Sequence, residues 1–333
     1  YLGRTFSLSE RLMTEARIVW SYLAMIVVPA LNDFSLHHDD YVVSKHLLSP
    51  ATTLLSIFGL LALGALVLLL RTRVPLVTLA IAWFLVGHSL ESSLWPLELM
   101  HEHRNYLPSL AFPILVMALL AWAPGKARAF RLAVVGGGLA FAAYLGLLTF
   151  LRADMYGDDL RRSQIEAQYH GSSTRVQYEA GALLVNLFNA NRVAELPVMA
   201  RQHLEKANEL DPGFKLALVA MLQLECLQEG TATEATVAEL NRRMRLDMRQ
   251  VSDRTSINVI PKMVNEKTLC LSRDQVDGLF ASALSNPSVA GVYKSRLLSS
   301  YALYLWLDQK DYGSALRMFD AAFAEDNGDV VNR

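Results

Sequence analysis

The stretch HEHRNYLPSL, residues 101–110, sets His101, Glu102, His103 and Arg104 side by side directly before an apolar run. A guanidinium matches phosphate oxygens through two parallel hydrogen bonds, so Arg104 with His101 or His103 is a candidate phosphate site. Tyr106 would stand at the depth of lipid headgroups. The same residues also read as a plain interfacial anchor, with ion pairs from Glu98 or Glu102 to Arg104. A third chemistry is ligation of a divalent metal by His101 and His103 with Glu98 or Asp39, although two histidines two apart on a helix point about 200° from one another. A second polar loop, NDFSLHHDDYVVSKH over residues 32–46, adds Asp33, His37, His38, Asp39, Asp40 and His46. Paired aspartates beside histidines could bind a divalent cation or serve as a general base, with His38, Asp39 and Asp40 at the centre. The alternative is a solvated loop without chemistry. A divalent metal ion is the one cofactor these residue types suggest.

The elements that must position these residues follow from an uneven distribution of charge. Residues 1–151 hold 10 of the 31 lysines and arginines and 8 of the 32 acidic residues, in a chain of 333 whose net charge is −1. The front half has the composition of a lipid-embedded protein and the rest that of a soluble one. No basic stripe points to nucleic acid, and that partner class is set aside. The first residue is Tyr1, and YLGRTFSLSER lacks the pattern of a signal peptide, so the sequence reads as part of a longer chain.

Five stretches approach the roughly 20 apolar residues needed to cross a bilayer: 16–32, 51–70, 74–90, 107–123 and 131–151. Arg71 and Arg73, and then Lys126, Arg128 and Arg131, mark two connecting loops as cytoplasmic. Alternation then puts residues 33–50, residues 91–106 and everything after 152 on the opposite face, the periplasm of a bacterial inner membrane. Pro96 suits the start of a short interfacial helix with Trp95, Leu97 and Met100 on one side and Glu98, His101 and Glu102 on the other. In the fifth span Gly138, Ala142 and Gly146 share one face, a spacing that suits close helix packing inside a bundle. Scarcity of ionisable residues within the spans, Arg17 and His88 apart, argues against a transporter.

From Arg175 onward apolar residues recur at helical spacing. Ala200, Leu204, Ala207 and Pro212 have the spacing of the second helix of a tetratricopeptide repeat, and Ala315, Phe319 and Ala322 repeat it near the end, with Phe188 and Asn327 departing from the pattern. Residues 215–248 form a further hairpin broken at EGTAT. The fold class is therefore all-α: a polytopic membrane bundle over 1–151, then a soluble solenoid of tetratricopeptide type over 152–333. A solenoid of this kind binds a protein partner, or caps the membrane part. Cys226 and Cys270 lack zinc-ligand spacing and are either a disulfide or two buried thiols.

The strings RTFSLSERLMTEARIVWSYLAMIVVP, LHHDDYVVSK and LELMHEHRNYLPSLAF resemble the later membrane portion of bacterial polytopic proteins with C-terminal tetratricopeptide repeats. These are similar in plan to the lumenal transmembrane and tetratricopeptide-repeat O-mannosyltransferases of the GT-C glycosyltransferase superfamily. In that group an Arg-x-Tyr-Leu-Pro element enters a membrane helix, as Arg104, Tyr106, Leu107 and Pro108 do here. The resemblance implies sugar transfer from a polyprenyl-phosphate carrier to a protein or glycan acceptor, with the repeats recruiting the acceptor. The acidic motif of GT-C enzymes would lie upstream, so Asp39 and Asp40 are not given that role and no catalytic residue is assigned. The rival expectation is a non-catalytic membrane-anchored scaffold for pilus or envelope assembly.

Overall fold

The computed structural model describes residues 4, 6–122, 128–246, 248 and 250–325. Fourteen α-helices and no strand occur among them. They divide into two compact units, Phe6–Gly171 and Ser172 onward. Ala123, Lys126 and Asn327 lie outside the described residues.

In the first unit α1 (Leu8–Val27) starts where Ser7 and Glu10 cap each other: the Glu10 N–H donates to Ser7 Oγ at 3.3 Å and the Ser7 N–H to Glu10 Oε2 at 2.7 Å. It ends because Val28 precedes Pro29 and leaves the helical region, at φ −138° and ψ 66°. The predicted span 16–32 is thus corrected to a helix that begins earlier and carries Arg11, Glu15 and Arg17 in its length. Next come α2 (Thr52–Leu70), α3 (Pro75–Ser89, with proline in the first turn), α4 (Ala111–Ala121), α5 (Arg128–Tyr156) and α6 (Asp159–Tyr169). Three segments, Thr52–Leu70, Glu102–Ala121 and Arg128–Tyr156, are long and apolar enough to cross a membrane, and α3 is a shorter apolar helix. Leu55, Phe58, Leu61, Leu68 and Leu69 of α2 are all exposed, the kind of apolar surface that marks a membrane or partner contact.

Two further expectations are corrected. Residues 96–101 are not helical; the backbone stays irregular until a short 3-10 turn at Glu102–Asn105. The loop departs from its helical propensity because its carbonyls are taken by side chains of α1. The small-residue face of α5 is also not packed: a Cβ added at Gly138 or Gly146 would meet nothing within 4 Å, and no residue of α5 is buried. That helix is held instead by its other face, through the Phe112–Phe141 ring contact at 4.6 Å and a hydrogen bond from Tyr144 Oη to the Pro29 carbonyl at 2.6 Å. The first unit also runs past residue 151, because α5 continues to Tyr156 and α6 follows it after a two-residue break.

The second unit holds α7 (Thr174–Asn191), α8 (Leu196–Leu210), α9 (Leu216–Glu229), α10 (Glu234–Leu246), α11 (Val251–Asn265), α12 (Arg273–Leu284), α13 (Val292–Leu307) and α14 (Tyr312–Glu325). Helices α7 with α8 and α13 with α14 are close antiparallel-type neighbours in sequence and space. Ala200, Leu204 and Ala207 are fully buried, as are Ala315 and Ala322. Phe319 is only half-buried, and Pro212 is exposed, its carbonyl accepting from Arg243 Nη1 at 2.7 Å. The close approach of α7 to α8 comes from Gly181, where a Cβ would lie 2.7 Å from Leu204 Cγ. The EGTAT break falls between α9 and α10, where Gly230 takes the left-handed angle (φ +73°) that favours glycine. Cys226 and Cys270 form a disulfide.

Candidate functional site

Arg11 is the organiser of the polar loop before α4. Fully buried, it donates from Nε to the Ser93 carbonyl at 3.1 Å, from Nη1 to Leu97 at 2.6 Å and from Nη2 to Glu91 at 2.8 Å, and it pairs with Glu15 at 2.8 Å. Further along the same helix Tyr22 Oη accepts from the His101 N–H at 2.8 Å and donates to the His101 carbonyl at 3.0 Å. Asn105 Nδ2 donates to the Tyr22 carbonyl at 2.9 Å. On the far side Trp83 Nε1 donates to Leu107, and Gly87 lets α3 close on Pro108, where a Cβ would stand 2.9 Å from the ring. An irregular segment inside a bundle needs every backbone group satisfied, and these side chains supply the partners.

That framework fixes where each predicted residue goes. Arg104 is buried, its side chain 4% exposed, with Nε 2.9 Å from Glu91 and Nη1 donating to the Leu99 carbonyl at 3.0 Å. Its partner is neither Glu98 nor Glu102. Glu98 pairs with His101 at 2.8 Å, and the His101 and His103 rings stack at 5.2 Å rather than pointing apart, because the backbone here is not a helix. Glu102 pairs with Arg152 at 2.8 Å, and its other oxygen lies 3.7 Å from His38 Nε2. Asp40 Oδ2 lies 3.2 Å from His170 Nδ1, whereas Asp39 is exposed and outside this group. The hydrogen bond from His170 holds the Asp40 carboxyl below its ordinary range, and Asp40 in turn raises the imidazole.

Between α4 and α5, and bounded by the end of α1, runs an open groove of about 910 Å³. Its walls are apolar: Met25, Ile26, Phe112, Phe141, Leu145 and Leu148. One end is ionisable, lined by Glu102, His103, Asn105, Tyr106, Arg152 and Tyr156. Arg104 does not line it. Arg152 sits over the Phe34 ring at 4.8 Å, and its Nη1 has no hydrogen-bond acceptor within the protein. The structure therefore brings together Glu102, His103, Tyr106, Asp40 and His38, and adds Arg152, Tyr156 and His170, which the sequence reading missed. For Arg152 a signal existed, a lone arginine at the end of an apolar helix on the side of the polar loops; for His170, far along the chain from Asp40, there was none. The chain matches no protein-family model, no curated protein and no solved structure.

Proposed function

We propose that the first unit is a multi-pass membrane domain that binds a polyprenyl-phosphate-linked sugar, as part of a GT-C-like glycosyl-transfer machine, and that the helical second unit recruits the acceptor. The observation that carries this reading is the groove with apolar walls and an ionisable end. An isoprenoid tail matches Phe112, Phe141, Leu145 and Leu148, and it enters sideways between α4 and α5, which touch only sparsely. A phosphate at the end of that tail meets Arg152, with His103 and Tyr106 beside it. The role first sought in Arg104 passes to Arg152, because the guanidinium of Arg104 is spent on Glu91 and a loop carbonyl. Arg104 then ties the polar loop to Glu91 rather than touching lipid. The Cys226–Cys270 disulfide supports a periplasmic second unit, since such bonds persist in oxidising compartments.

A second reading, the membrane-anchored scaffold, draws its support from the same burial of Arg104, which gives the recognisable motif a purely structural duty. Binding separates the two. The full chain in nanodiscs, titrated with a polyprenyl phosphate, is expected to bind it more tightly than the uncharged prenol. Arg152→Ala should weaken that binding roughly tenfold or more, the loss expected for a charge-assisted hydrogen bond of about 1.5–3 kcal/mol. Equal affinity for phosphate and prenol, or full affinity in Arg152→Ala, leaves the scaffold standing.

A further inference from the structure

We infer that His38, Asp40 and His170 form a binding site for a divalent transition metal, zinc by its donor chemistry, with the Glu102 carboxylate facing His38 beside it. This goes beyond the lipid reading and stands without it. One nitrogen of each imidazole and one carboxylate oxygen of Asp40 lie within 4.8 Å of one another. One donor pair is closer still, Asp40 with His170 at 3.2 Å. Ligands about 2.0–2.1 Å from a tetrahedral zinc stand about 3.4 Å apart. Closing the cluster therefore asks for movements of about an ångström, within the reach of side-chain torsions.

A separate observation points to a cation. The His38 side chain is 6% exposed, and neither its Nε2 nor the facing Glu102 Oε1 has a hydrogen-bond partner within the protein. Burying an unsatisfied nitrogen opposite an unsatisfied carboxylate oxygen is costly for each group. A cation bound beside His38 gives that region the positive charge the facing carboxylate lacks. The His38 and His170 rings meet edge to face at 5.6 Å, so their in-plane nitrogens approach from different directions, as a tetrahedral ion requires. Two imidazoles and one or two carboxylates suit zinc or its close relatives, not magnesium or calcium, which favour oxygen ligands throughout. Arg152 holds the other oxygen of Glu102 at 2.8 Å and orients the carboxylate from outside the ligand set. The donors come from the 33–50 loop and the end of α6, so one ion would tie two separate parts of the first unit together.

Cobalt(II) is the direct probe, because its visible bands report tetrahedral nitrogen and oxygen ligation. The tag-free full chain in detergent, stripped with a chelator, is expected to take up one cobalt per chain, displaced by zinc and not by magnesium. His38→Gln and His170→Gln should each weaken uptake at least about tenfold, while circular dichroism of the metal-free proteins remains that of the parent. If either glutamine variant fails to fold, the isosteric Asp40→Asn should show the same loss. Absence of stoichiometric uptake overturns the site, and so does uptake that survives in the folded variants and disappears instead in His101→Gln or His103→Gln.

Discussion

The two units of this chain are built inside out with respect to one another. In the second, Leu204, Leu222, Leu240 and Phe280 are fully buried, and charged side chains such as Arg242 and Glu239 pair in solvent. In the first, α2 and α5 turn their leucines and phenylalanines outward, while Arg11, Thr14, Glu15, Ser44 and Thr53 are fully or nearly fully buried. The second unit is held by removing apolar area from water. The first gains little that way if lipid surrounds it, and it is held by polar contacts whose alternative partners would be hydrocarbon. Thr14 shows the pattern on a small scale: its Oγ1 accepts from the buried Ser44 N–H at 2.8 Å, and Ser44 Oγ bonds Thr53 Oγ1 at 2.9 Å. One residue from each of α1, α2 and the loop between them is joined without an apolar contact.

Truncations on either side should break this contrast in opposite ways. Arg11→Ala leaves Glu15 buried without its ion pair and three loop carbonyls without donors, and is expected to cost about 3–5 kcal/mol. Thermal unfolding in detergent measures it, and the loop 91–97 should gain protease sensitivity. In the second unit, Leu204→Ala opens a cavity against Gly181 and should cost about 2–5 kcal/mol. By contrast, Leu55→Ala on the outer face of α2 should change stability in detergent by less than about 0.5 kcal/mol, the ordinary value for a surface position. A large loss there would mean that α2 is covered by protein rather than lipid.

The smallest effect sharpens the picture of the second unit. Arg242 and Arg243 hold the Glu239 carboxyl down, from an ordinary 4.5 to about 2. A lowered carboxylate value contributes stability above its unfolded value and loses it as pH falls through the folded one. Glu239→Gln should therefore lower stability slightly at neutral pH and flatten the acid limb of the unfolding curve between about pH 4.5 and 2, so that parent and variant converge near pH 2. Because the pair is largely exposed, screening limits the effect to a few tenths of a kcal/mol.

Helices α2, α3 and α5 were legible because apolar runs bounded by arginine or proline carry their own limits. The hairpin around EGTAT was legible from its glycine. What the sequence hid was tertiary: α1 looks like a poor membrane helix until Arg11 is seen to serve a loop more than eighty residues away. Arg104 looks available for phosphate until Glu91 is seen beside it. Residues 96–101 have a helical pattern, yet their carbonyls and N–H groups are claimed by Arg11 and Tyr22 before a helix can use them. The candidate site was half visible. Glu102, His103 and Tyr106 stood in one motif, whereas Arg152 and His170 join it only through the path of α5 and α6.

On the proposed topology the ionisable end of the groove lies at one membrane face and the α2–α3 turn at the other. With Cys226 and Cys270 tied in their disulfide, single cysteines at Tyr106 and Arg73 can be labelled in sealed inner-membrane vesicles and in intact cells with an impermeant maleimide. Tyr106→Cys should react in intact cells and Arg73→Cys only in inverted vesicles. Labelling of both from the same side would contradict that topology.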